Sequence, residues 1–238
     1  MTRRRWIADE YSGTRAFLVG DHARHLAQVL RARVGQEFDI TTGKTVRRGH
    51  ITSIDSDRVE FDLGDEVSTS TSVQVTLVLS IFKFDRMEWA IEKCTELGVA
   101  CIVPAIARRT EAHLAAAAVK RVERWRRIAL QAAEQSRRIS PPEISAPLKL
   151  KDAAAVPGSL RILLSETEGE ARLKDVLQSY SGDGGVILAL GPEGGWTDEE
   201  LKLFQEAGWI SASLGNTILR AETAAIASLA VVLAELQA

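Results

Sequence analysis

The 238-residue sequence predicts an α/β protein of two domains, in which a small β-barrel precedes a larger domain with a mainly parallel sheet. The first 70 residues alternate apolar and polar positions over short segments separated by glycines, which is typical of β-strands joined by turns. From Val73 onward, apolar strands alternate with amphipathic helices, which is typical of a parallel sheet covered on both faces. The Ser- and Thr-rich segment 68–72 marks the boundary, so we expect a first domain of residues 1–71 and a second of residues 72–238.

Three strands and one helix are predicted within the first domain. The strands are expected at Phe38–Ile40, His50–Ile54 and Arg58–Leu63, where apolar and polar residues alternate. The helix is expected to begin at Asp21, acting as its N-cap, because apolar residues recur at helical spacing over residues 23–30.

The second domain is predicted to contain five strands and five helices. Strands are expected over residues 73–81, 99–103, 162–164, 186–190 and 210–214. Helices are expected over residues 85–98, 115–138, between the third and fourth strands, 197–208 and 222–236. Two helix starts have the spacing of a capping box, Asp85 with Glu88 and Thr197 with Glu200. The second strand is expected to end at Pro104.

Composition excludes several classes of protein. The chain is 45% apolar and 26% charged, as in ordinary globular proteins. It has no apolar run of the roughly 18–20 residues that span a bilayer, and its N-terminus lacks the apolar core of a signal peptide. We therefore expect a soluble cytoplasmic protein without a membrane partner. Cys94 and Cys101 form no CxxC pair, and the four histidines form no ligand pair with them, so no metal site is predicted.

The net charge of −2 conceals a strong segregation of charge along the chain. Residues 1–50 hold ten basic and five acidic side chains, and residues 108–138 hold nine basic and three acidic ones. Residues 150–238, by contrast, hold six basic and thirteen acidic side chains. A solvated helix face explains many basic runs. Two separate basic regions in a nearly neutral chain nevertheless favour contact with the phosphate backbone of RNA.

Three loops that follow strands of the second domain are chemically unusual. They are Ser165–Gly169, Gly191–Gly195 and Gly215–Thr223. Because ligands of open α/β sheets bind at the carboxyl ends of strands, we expect these loops to line one pocket. Glycine lets the backbone approach a ligand closely. Apolar residues around the third loop suit a flat, uncharged ring, although such side chains are more often part of a core.

The second loop, Gly-Pro-Glu-Gly-Gly at residues 191–195, is a weak motif when it is taken alone. It fits a tight strand-to-helix turn equally well. No GxGxxG opens a helix after a first strand and no GxxxxGK[ST] occurs, which disfavours dinucleotide cofactors and a P-loop. Two alternatives stay open: a nucleotide-binding α/β protein that uses this loop for phosphate, and a non-catalytic RNA-binding or ribosome assembly factor.

An ordered set of motifs nevertheless resembles one family. The set comprises Gly191–Gly195, the string from Leu214 to Ala224, Asp85–Glu88 with Lys93 and Glu96–Gly98, Arg4-Arg5, His25–Gly35 and Trp125–Gln135. It spans nearly the whole chain and is similar to the ribosomal RNA small-subunit methyltransferases of the E type, the 16S rRNA (uracil-N(3))-methyltransferases of the SPOUT superfamily. The chain departs from the family pattern at Phe84, where glycine is usual, and at Thr41–Thr45, which lacks the usual Asp-Gly.

The resemblance implies a PUA-like β-barrel RNA-binding domain and a SPOUT methyltransferase domain whose C-terminal part forms a deep trefoil knot. It further implies a homodimer that methylates ring nitrogen 3 of a uridine in 16S rRNA of the small ribosomal subunit. S-adenosylmethionine is expected to bind within the knot, held by Leu164, Ser165, Glu166, Leu190, Gly191, Pro192, Glu193, Gly194, Gly195, Leu214, Gly215, Asn216, Ile218 and Leu219. The basic residues expected to contact RNA are Arg4, Arg5, Arg24, Arg31, Lys83, Arg86, Arg109 and Arg138.

Two residues beside the third loop are the catalytic candidates. Methylating a uracil ring nitrogen requires removal of the imide proton and alignment of the nitrogen with the methyl group. We expect Arg220 to stabilise the deprotonated uracil, and Glu222 either to accept the proton or to orient Arg220. An alternative is that Glu222 only complements the positive end of the last helix while it pairs with Arg220. Glu193 is a second candidate base.

Overall fold

The computed structural model describes residues 5–43, 45–67, 73–136, 138–180 and 184–236. The chain divides into two compact units, of which the first comprises the described residues within 1–71 and 133–140 and the second those within 72–132 and 141–238. The predicted linker at 68–72 lies outside the described residues. Across the described ranges, no helix is long and apolar enough to cross a membrane.

Six strands form the sheet of the first unit. They are β1 (Arg5–Ile7), β2 (Glu10–Ser12), β3 (Arg15–Val19), β4 (Glu37–Thr42), β5 (Thr45–Ile54) and β6 (Arg58–Glu66). They lie in the order β1-β4-β5-β6-β3-β2, and all neighbours are antiparallel except the parallel pair β1 and β4. The three predicted strands are confirmed as β4, β5 and β6. Their inward side chains, among them Ile40, Ile51 and Phe61, are buried in the core of this unit.

The helix of the first unit begins differently from the prediction. Helix α1 spans Asp21–Arg24 and continues directly into a π-helical turn, His25–Val29. Gly20 occupies the N-cap position with a φ of 58°, and no side chain caps the helix, so the assignment of Asp21 as N-cap is wrong. Glycine adopts this left-handed conformation without the steric cost that a Cβ imposes. Asp21 is instead the first helical residue, and its carboxylate binds Arg24.

The second unit contains a seven-stranded parallel sheet. Its strands are β7 (Val75–Ser80), β8 (Cys101–Ile106), β9 (Glu143–Ile144), β10 (Leu148–Lys149), β11 (Leu160–Leu164), β12 (Val186–Leu190) and β13 (Ile210–Ala212). Its helices are α2 (Phe84–Leu97), α3 (Ala112–Gln135), α4 (Leu150–Ala154), α5 (Leu173–Gln178), α6 (Asp198–Glu206) and α7 (Ala221–Leu236), except that the last three residues of α3, 133–135, belong to the first unit. The strand order is β10-β8-β7-β12-β11-β13, with β9 also beside β8. The knot stays a prediction, because strand order gives the neighbours in a sheet and not the threading of the chain.

Alternate residues of the central strands face two separate cores. In β12, Leu188 and Leu190 pack with residues of α2, α3, α5 and α7. Ile187 and Ala189 pack on the opposite face with residues of α4 and α6. Successive side chains of a strand point to opposite faces, and full burial of a large apolar side chain contributes about 1.5–3 kcal/mol. The predicted parallel sheet with helices on both faces is therefore confirmed.

The start of α2 differs from the prediction. Lys83 stands at the N-cap, and no side chain caps this helix, so the expected box of Asp85 with Glu88 is wrong. Lysine has no acceptor atom for the helix N–H groups. Glu88 instead accepts two hydrogen bonds from Arg124 of α3, at 2.6 and 2.8 Å. Arg121 of the same helix lies 3.6 Å from the Glu88 carboxylate, so Glu88 stabilises the packing of α2 against α3.

The second predicted capping box, at the start of α6, is confirmed. The Thr197 hydroxyl accepts a hydrogen bond from the Glu200 backbone N–H, and the Glu200 carboxylate accepts one from the Thr197 N–H. The same carboxylate accepts a hydrogen bond of 2.6 Å from the Arg108 N–H, so this buried acid also fixes the loop after β8. Glu200 therefore links the start of α6 to the loop after β8.

The strand that contains Pro104 is longer than predicted, because β8 continues to Ile106. On one side β8 pairs with two separate short strands, with β9 at Cys101 and Ile102 and with β10 at Ala105 and Ile106. Pro104 therefore lies where the neighbouring strand is interrupted, and its missing N–H removes no hydrogen bond on that side. Two further boundaries moved by a few residues: α3 spans Ala112–Gln135 instead of 115–138, and β13 ends at Ala212.

Candidate active site

The three predicted loops meet at one edge of the parallel sheet. Strand β11 lies between β12 and β13, and Leu164 is in register with Leu190 on one side and with Ala212 on the other. The three strands therefore end at the same level, and the loops that follow them leave the sheet side by side. This position is where ligands of open α/β sheets bind.

A cavity of about 280 Å³ lies between these loops, and we name it the sheet-edge cavity. Twelve of the fourteen residues predicted to hold the cofactor line it: Leu164, Ser165, Glu166, Leu190, Gly191, Pro192, Glu193, Gly195, Leu214, Gly215, Ile218 and Leu219. The other two, Gly194 and Asn216, do not. The Gly194 carbonyl accepts a hydrogen bond from Arg109, and the Asn216 side chain accepts one from Arg172.

The second loop is held in place by the residue that follows it. The indole N–H of Trp196 donates a hydrogen bond of 2.9 Å to the Leu164 carbonyl, which ties the second loop to the end of β11. A Cβ at Gly191 would lie 3.3 Å from the buried Trp196 ring, and Gly195 has a φ of 70°. Both positions therefore favour glycine. The N–H of Gly195 closes the turn on the Pro192 carbonyl at 2.8 Å.

Four charged side chains line the sheet-edge cavity: Arg86, Arg220, Glu166 and Glu193. Arg220 is exposed and forms no ion pair with any described residue. Glu166 and Glu193 are also exposed, so two carboxylates and two guanidinium groups face one small space. Such a space can accommodate a ligand that carries charges of both signs around a flat ring.

Glu222 occupies a different place from the one predicted. Its side chain is buried, with the residue 4% exposed, and it does not line the cavity. Its Oε1 lies 3.8 Å from Nε of Arg86, while its Oε2 has no hydrogen-bond partner within the described chain. The expected pairing of Glu222 with Arg220 is therefore wrong. Residues two positions apart at a helix start do not face each other, so Glu222 points to Arg86 of α2.

The predicted RNA-binding arginines fall into distinct environments. Arg4 lies outside the described residues. Arg24 is held by Asp21 and Asp57, whereas Arg31 is exposed and has a φ of 51°. In the first unit, Arg5 and Arg138 are both partly buried.

The remaining three basic residues lie in the second unit. Lys83 is exposed at the start of α2. Arg86 lines the sheet-edge cavity, and Arg109 donates hydrogen bonds to the carbonyls of Gly194 and Trp196, so it supports the second loop. The sequence analysis placed Arg86 only among the RNA-binding residues. The structure brings it to the cavity because β7, which it follows, lies next to β12 and ends at the same edge of the sheet. Thr217 and Ala221, which belong to the third predicted loop, also line the cavity, whereas Ser213 and Ala224 lie outside the predicted loops and were missed.

The cysteines lie away from this cavity. Burial raises the pKa of the Cys94 thiol to about 12. Burial, together with the nearby Glu143 carboxylate, raises the pKa of the Cys101 thiol to about 11. Neither is a nucleophile at neutral pH. Within the described ranges, no cluster of three or more His, Cys, Asp or Glu side chains can hold a metal ion.

Comparison with known proteins assigns the chain to a family. A model of the RNA methyltransferase domain matches residues 69–233, and a model of the RNA methyltransferase PUA domain matches residues 19–64. The ribosomal RNA small subunit methyltransferase E of Rickettsia conorii is 31% identical over 90% of this chain and 87% of its own length. The enzyme of the same name from Synechocystis is 33% identical over 87% of this chain and 68% of its own length. The chain belongs to the ribosomal RNA small subunit methyltransferase E family.

Solved structures of similar proteins have the same fold. The ribosomal RNA small subunit methyltransferase E of Neisseria gonorrhoeae, bound to S-adenosyl methionine, is 30% identical and superposes with a TM-score of 0.79 over 96% of both chains. A methyltransferase of Legionella pneumophila in complex with the same cofactor is 28% identical, with a TM-score of 0.77 over 98% of both chains. The first unit is thus the PUA half-barrel of this methyltransferase E family, and the second is its α/β methyltransferase domain.

Proposed function

We propose that this chain transfers a methyl group from S-adenosylmethionine to ring nitrogen 3 of one uridine in 16S rRNA of the small ribosomal subunit. The observation that carries the proposal is the meeting of three loops in the sheet-edge cavity, at the carboxyl ends of β11, β12 and β13. Membership of the ribosomal RNA small subunit methyltransferase E family supports it. Two similar proteins have been solved with S-adenosylmethionine bound.

The residues of the cavity fit this cofactor. Glycines at 191, 195 and 215 leave room for backbone atoms to contact a ligand, while Leu190, Leu214 and Leu219 offer apolar contacts for its adenine ring. The carboxylate of Glu166 complements the positive charges of its sulfonium and amino groups. When bound there, S-adenosylmethionine supplies an electrophilic methyl group.

The same geometry disfavours a phosphate loop. The helix that follows Gly191–Gly195 carries Asp198, Glu199 and Glu200 in its first turn. These carboxylates neutralise the positive end of the helix dipole. That positive end is the feature that attracts phosphate to a helix N-terminus. Arg109 contacts the loop, but its guanidinium is engaged with the carbonyls of Gly194 and Trp196.

Arg220 and Arg86 are the cations that face the reacting base in this proposal. A uracil ring nitrogen becomes a nucleophile when its imide proton leaves, and the resulting anion is spread over the ring. Two guanidinium groups at the cavity wall stabilise that anion and lower the pKa of the imide. Glu222 is a positioning residue, because its buried carboxylate lies against Arg86 and does not line the cavity. Glu193, which does line the cavity, is the candidate acceptor of the proton.

In this scheme the rRNA backbone is contacted by two parts of the chain. They are the first domain, proposed as residues 1–71, and the exposed basic residues of the second domain, proposed as residues 72–238. The target uridine has to be unpaired or rotated out of a helix for its ring nitrogen to enter a cavity of this size. Cytoplasmic ribosomal subunits are the corresponding partner. The exposed side chains of Arg31 and Lys83 support the proposed RNA contacts.

A homodimer with a knotted C-terminal region is also part of the proposal. Ile218 is 86% exposed although it lines the sheet-edge cavity. In α7, Ala224, Ile226 and Val231 are only partly buried. An apolar surface next to the cavity supports a second copy of the chain at this position.

The decisive experiment incubates the full-length protein with radiolabelled S-adenosylmethionine and small ribosomal subunits that lack the modification. We expect one methyl group per subunit, and mass spectrometry of the digested 16S rRNA identifies it as 3-methyluridine. Protein-free 16S rRNA serves as a second substrate, which distinguishes the assembled subunit from naked RNA. Binding of subunits without any methyl transfer would identify a non-catalytic assembly factor instead.

A further inference from the structure

The first unit holds a second cavity, of about 550 Å³, which the methyl transfer proposed above does not use. We name it the Trp6 cavity, after the tryptophan in its wall. Its walls include Arg5, Trp6, His22, His25, Glu134 and Arg138. All of these residues belong to the first unit. Its volume lies in the range of small-molecule and nucleotide sites and exceeds that of the sheet-edge cavity.

Aromatic and imidazole rings form one wall of the Trp6 cavity. The centroid of the Trp6 ring lies 6.1 Å from that of His22 and 5.8 Å from that of His25. The Nε1 atom of Trp6 is buried and has no hydrogen-bond partner among the described residues. A buried N–H group without an acceptor is costly. Because this atom is buried, Trp6 offers the cavity the apolar surface of its ring and not its N–H group.

The two histidines present their rings in different ways. Nδ1 of His22 lies 2.9 Å from Oδ1 of Asp9, and its Nε2 lies 3.7 Å from Oε1 of Glu134, so this ring is fixed from both sides. His25 is exposed and begins the π-helical turn. Such turns are rare and occur frequently at functional sites. The cavity therefore combines a fixed ring with an accessible one.

Charged groups complete the chemistry of this cavity. Arg5 and Arg138 come from opposite ends of the first unit's sequence and reach the same space. Burial lowers the pKa of the Arg138 guanidinium, which nevertheless stays charged at neutral pH because arginine is not deprotonated in proteins. Guanidinium groups recognise phosphate. A carboxylate such as that of Glu134 accepts hydrogen bonds from the amino or imino groups of a base.

We propose that the Trp6 cavity binds one unpaired nucleotide of the RNA substrate, a different nucleotide from the uridine that is methylated. Its base lies against Trp6 and His25, and its phosphate lies near Arg5 and Arg138. Bases that are splayed out of RNA loops are recognised in this way, by aromatic stacking and by hydrogen bonds to their edges. The inference rests on the proposed function, since it assumes an RNA substrate. It adds a second anchor that fixes the position of the substrate.

The test compares His25→Ala and Trp6→Ala with two matched controls, His113→Ala and Trp89→Ala, whose side chains are exposed outside the Trp6 cavity. The probe is a fluorescein-labelled fragment of unmodified small-subunit RNA, and binding is followed by anisotropy. Loss of one stacked base lowers affinity about tenfold or more. We expect that loss in the two cavity variants and less than a twofold change in the controls. Unchanged RNA affinity in His25→Ala would overturn the proposal.

Further measurements separate a binding role from unfolding and from failure of the proposed function. Thermal melting identifies a Trp6→Ala protein that does not fold, and the exposed position of His25 makes His25→Ala the variant that decides in that case. We expect His25→Ala to raise KM for subunits while kcat and the affinity for S-adenosylmethionine stay unchanged. If wild-type protein transfers no methyl group but still loses RNA affinity on His25→Ala, the proposed function fails and the nucleotide site stands.

Ultraviolet cross-linking identifies the bound nucleotide. Wild-type protein is irradiated with unmodified small subunits, and mass spectrometry locates the cross-linked peptide and nucleotide. We expect a cross-link to the peptide that contains Trp6, from a nucleotide other than the methylated uridine. A cross-link of that peptide to the methylated uridine itself, or no cross-link within the Trp6 cavity, contradicts the proposal.

Discussion

The sheet-edge cavity and the Trp6 cavity are built by different parts of the chain. In the sheet-edge cavity, loops after β11, β12 and β13 contribute glycines and backbone atoms, and the parallel register brings the loops together. In the Trp6 cavity, side chains from β1 and from the segment around α1 supply the walls together with Glu134, Gln135 and Arg138. The first arrangement suits a ligand that is contacted by backbone groups, and the second suits one that is contacted by rings and charges.

This difference separates the two tasks of the proposed enzyme. A backbone-built site holds the same cofactor whatever RNA is present, because the main chain is fixed by the sheet. A site built from side chains reads the shape and the bases of an RNA loop. We therefore expect that a change in one cavity leaves the function of the other cavity intact.

The largest effect is expected from Arg220→Ala in the sheet-edge cavity. Removing a cation that stabilises charge in the transition state costs about 10²-fold or more in turnover. We expect kcat for subunit methylation to fall by about 100-fold, which is about 2.7 kcal/mol, while RNA affinity changes less than twofold. Steady-state transfer of labelled methyl at saturating substrate measures the first quantity, and anisotropy measures the second.

A matched control for Arg220 is Arg172→Ala. Arg172 contacts Asn216 of the same loop but does not line the cavity, so we expect nearly wild-type turnover. Equal losses in both variants would indicate that the loop has moved. A large loss of RNA affinity in Arg220→Ala would break the division between the two cavities.

The next effect concerns the buried pair of Glu222 and Arg86. If Glu222 acts by holding Arg86 at the cavity wall, Glu222→Gln and Arg86→Gln each lower kcat, by about tenfold, and the double variant loses little more than the larger single loss. Residues that act through one contact are not additive. The measurement is a double-mutant cycle on kcat across pH 6–9.

A different pattern would restore Glu222 as the base. In that case Glu222→Gln abolishes the rise of kcat with pH, and the Arg86→Gln protein keeps that rise. The buried Oε2 of Glu222, which has no hydrogen-bond partner among the described residues, makes this outcome worth measuring. The control is Glu235→Gln, at the far end of α7 from the cavity.

The third prediction tests the backbone of the second loop. Gly195 has a φ of 70°, and a Cβ there would lie 2.0 Å from Oε1 of Glu166. The Glu166 side chain can turn away, but the left-handed backbone costs a residue with a Cβ about 1–2 kcal/mol. We expect Gly195→Ala to weaken S-adenosylmethionine binding by about tenfold, measured by calorimetry, and to lower the free energy of unfolding by about 1 kcal/mol.

Gly169→Ala is the control for this change. Gly169 lies in the first loop, its φ is not in the left-handed region, and a Cβ there meets no atom within 4 Å. We expect both cofactor affinity and stability to stay at wild-type values. If Gly169→Ala weakens the cofactor as much as Gly195→Ala does, the conformation of the second loop is not what holds the ligand.

Sequence reasoning located one cavity and missed the other for a physical reason. The sheet-edge cavity is made by loops that follow consecutive strands, so glycines in Ser165–Gly169, Gly191–Gly195 and Gly215–Thr223 already carry the signal. The Trp6 cavity needs residues that lie about 130 positions apart, such as Trp6 and Glu134, and no local pattern reveals that they meet. The pairing of Glu222 with Arg86 was missed for the same reason, because only the packing of α7 on α2 brings them together.

Errors at helix starts have a more local origin. Asp85 and Glu88 have the spacing of a capping box, but α2 begins one residue earlier, at Phe84, so neither acid is at the N-cap. Phe84 packs edge-on against the buried ring of Trp125, at a centroid distance of 6.0 Å, which favours its inclusion in the helix. Glu88, the second acid of the predicted box, instead pairs with Arg124 of α3.

The smallest effect is expected for the two buried thiols, whose reactivity reports the unfolding of the second unit separately from that of the first. Both cysteines lie in the second unit, and burial raises the pKa of Cys94 to about 12 and that of Cys101 to about 11, from 9.0. At pH 8 we therefore expect both thiols to react with a disulfide reagent far more slowly in the native protein than in urea. The thiolate is the reactive form of a cysteine side chain. Because the folded state holds these protons more tightly than the unfolded state, stability falls as the pH rises from about 9 towards 12.

Pulsed labelling in rising urea then reports the unfolding of the second unit alone, and Cys94→Ser and Cys101→Ser assign the signal to each thiol. A native Cys94 that reacts at the rate of a free thiol would contradict its burial. Labelling at a lower urea concentration than the one at which RNA affinity is lost would show that the second unit unfolds first.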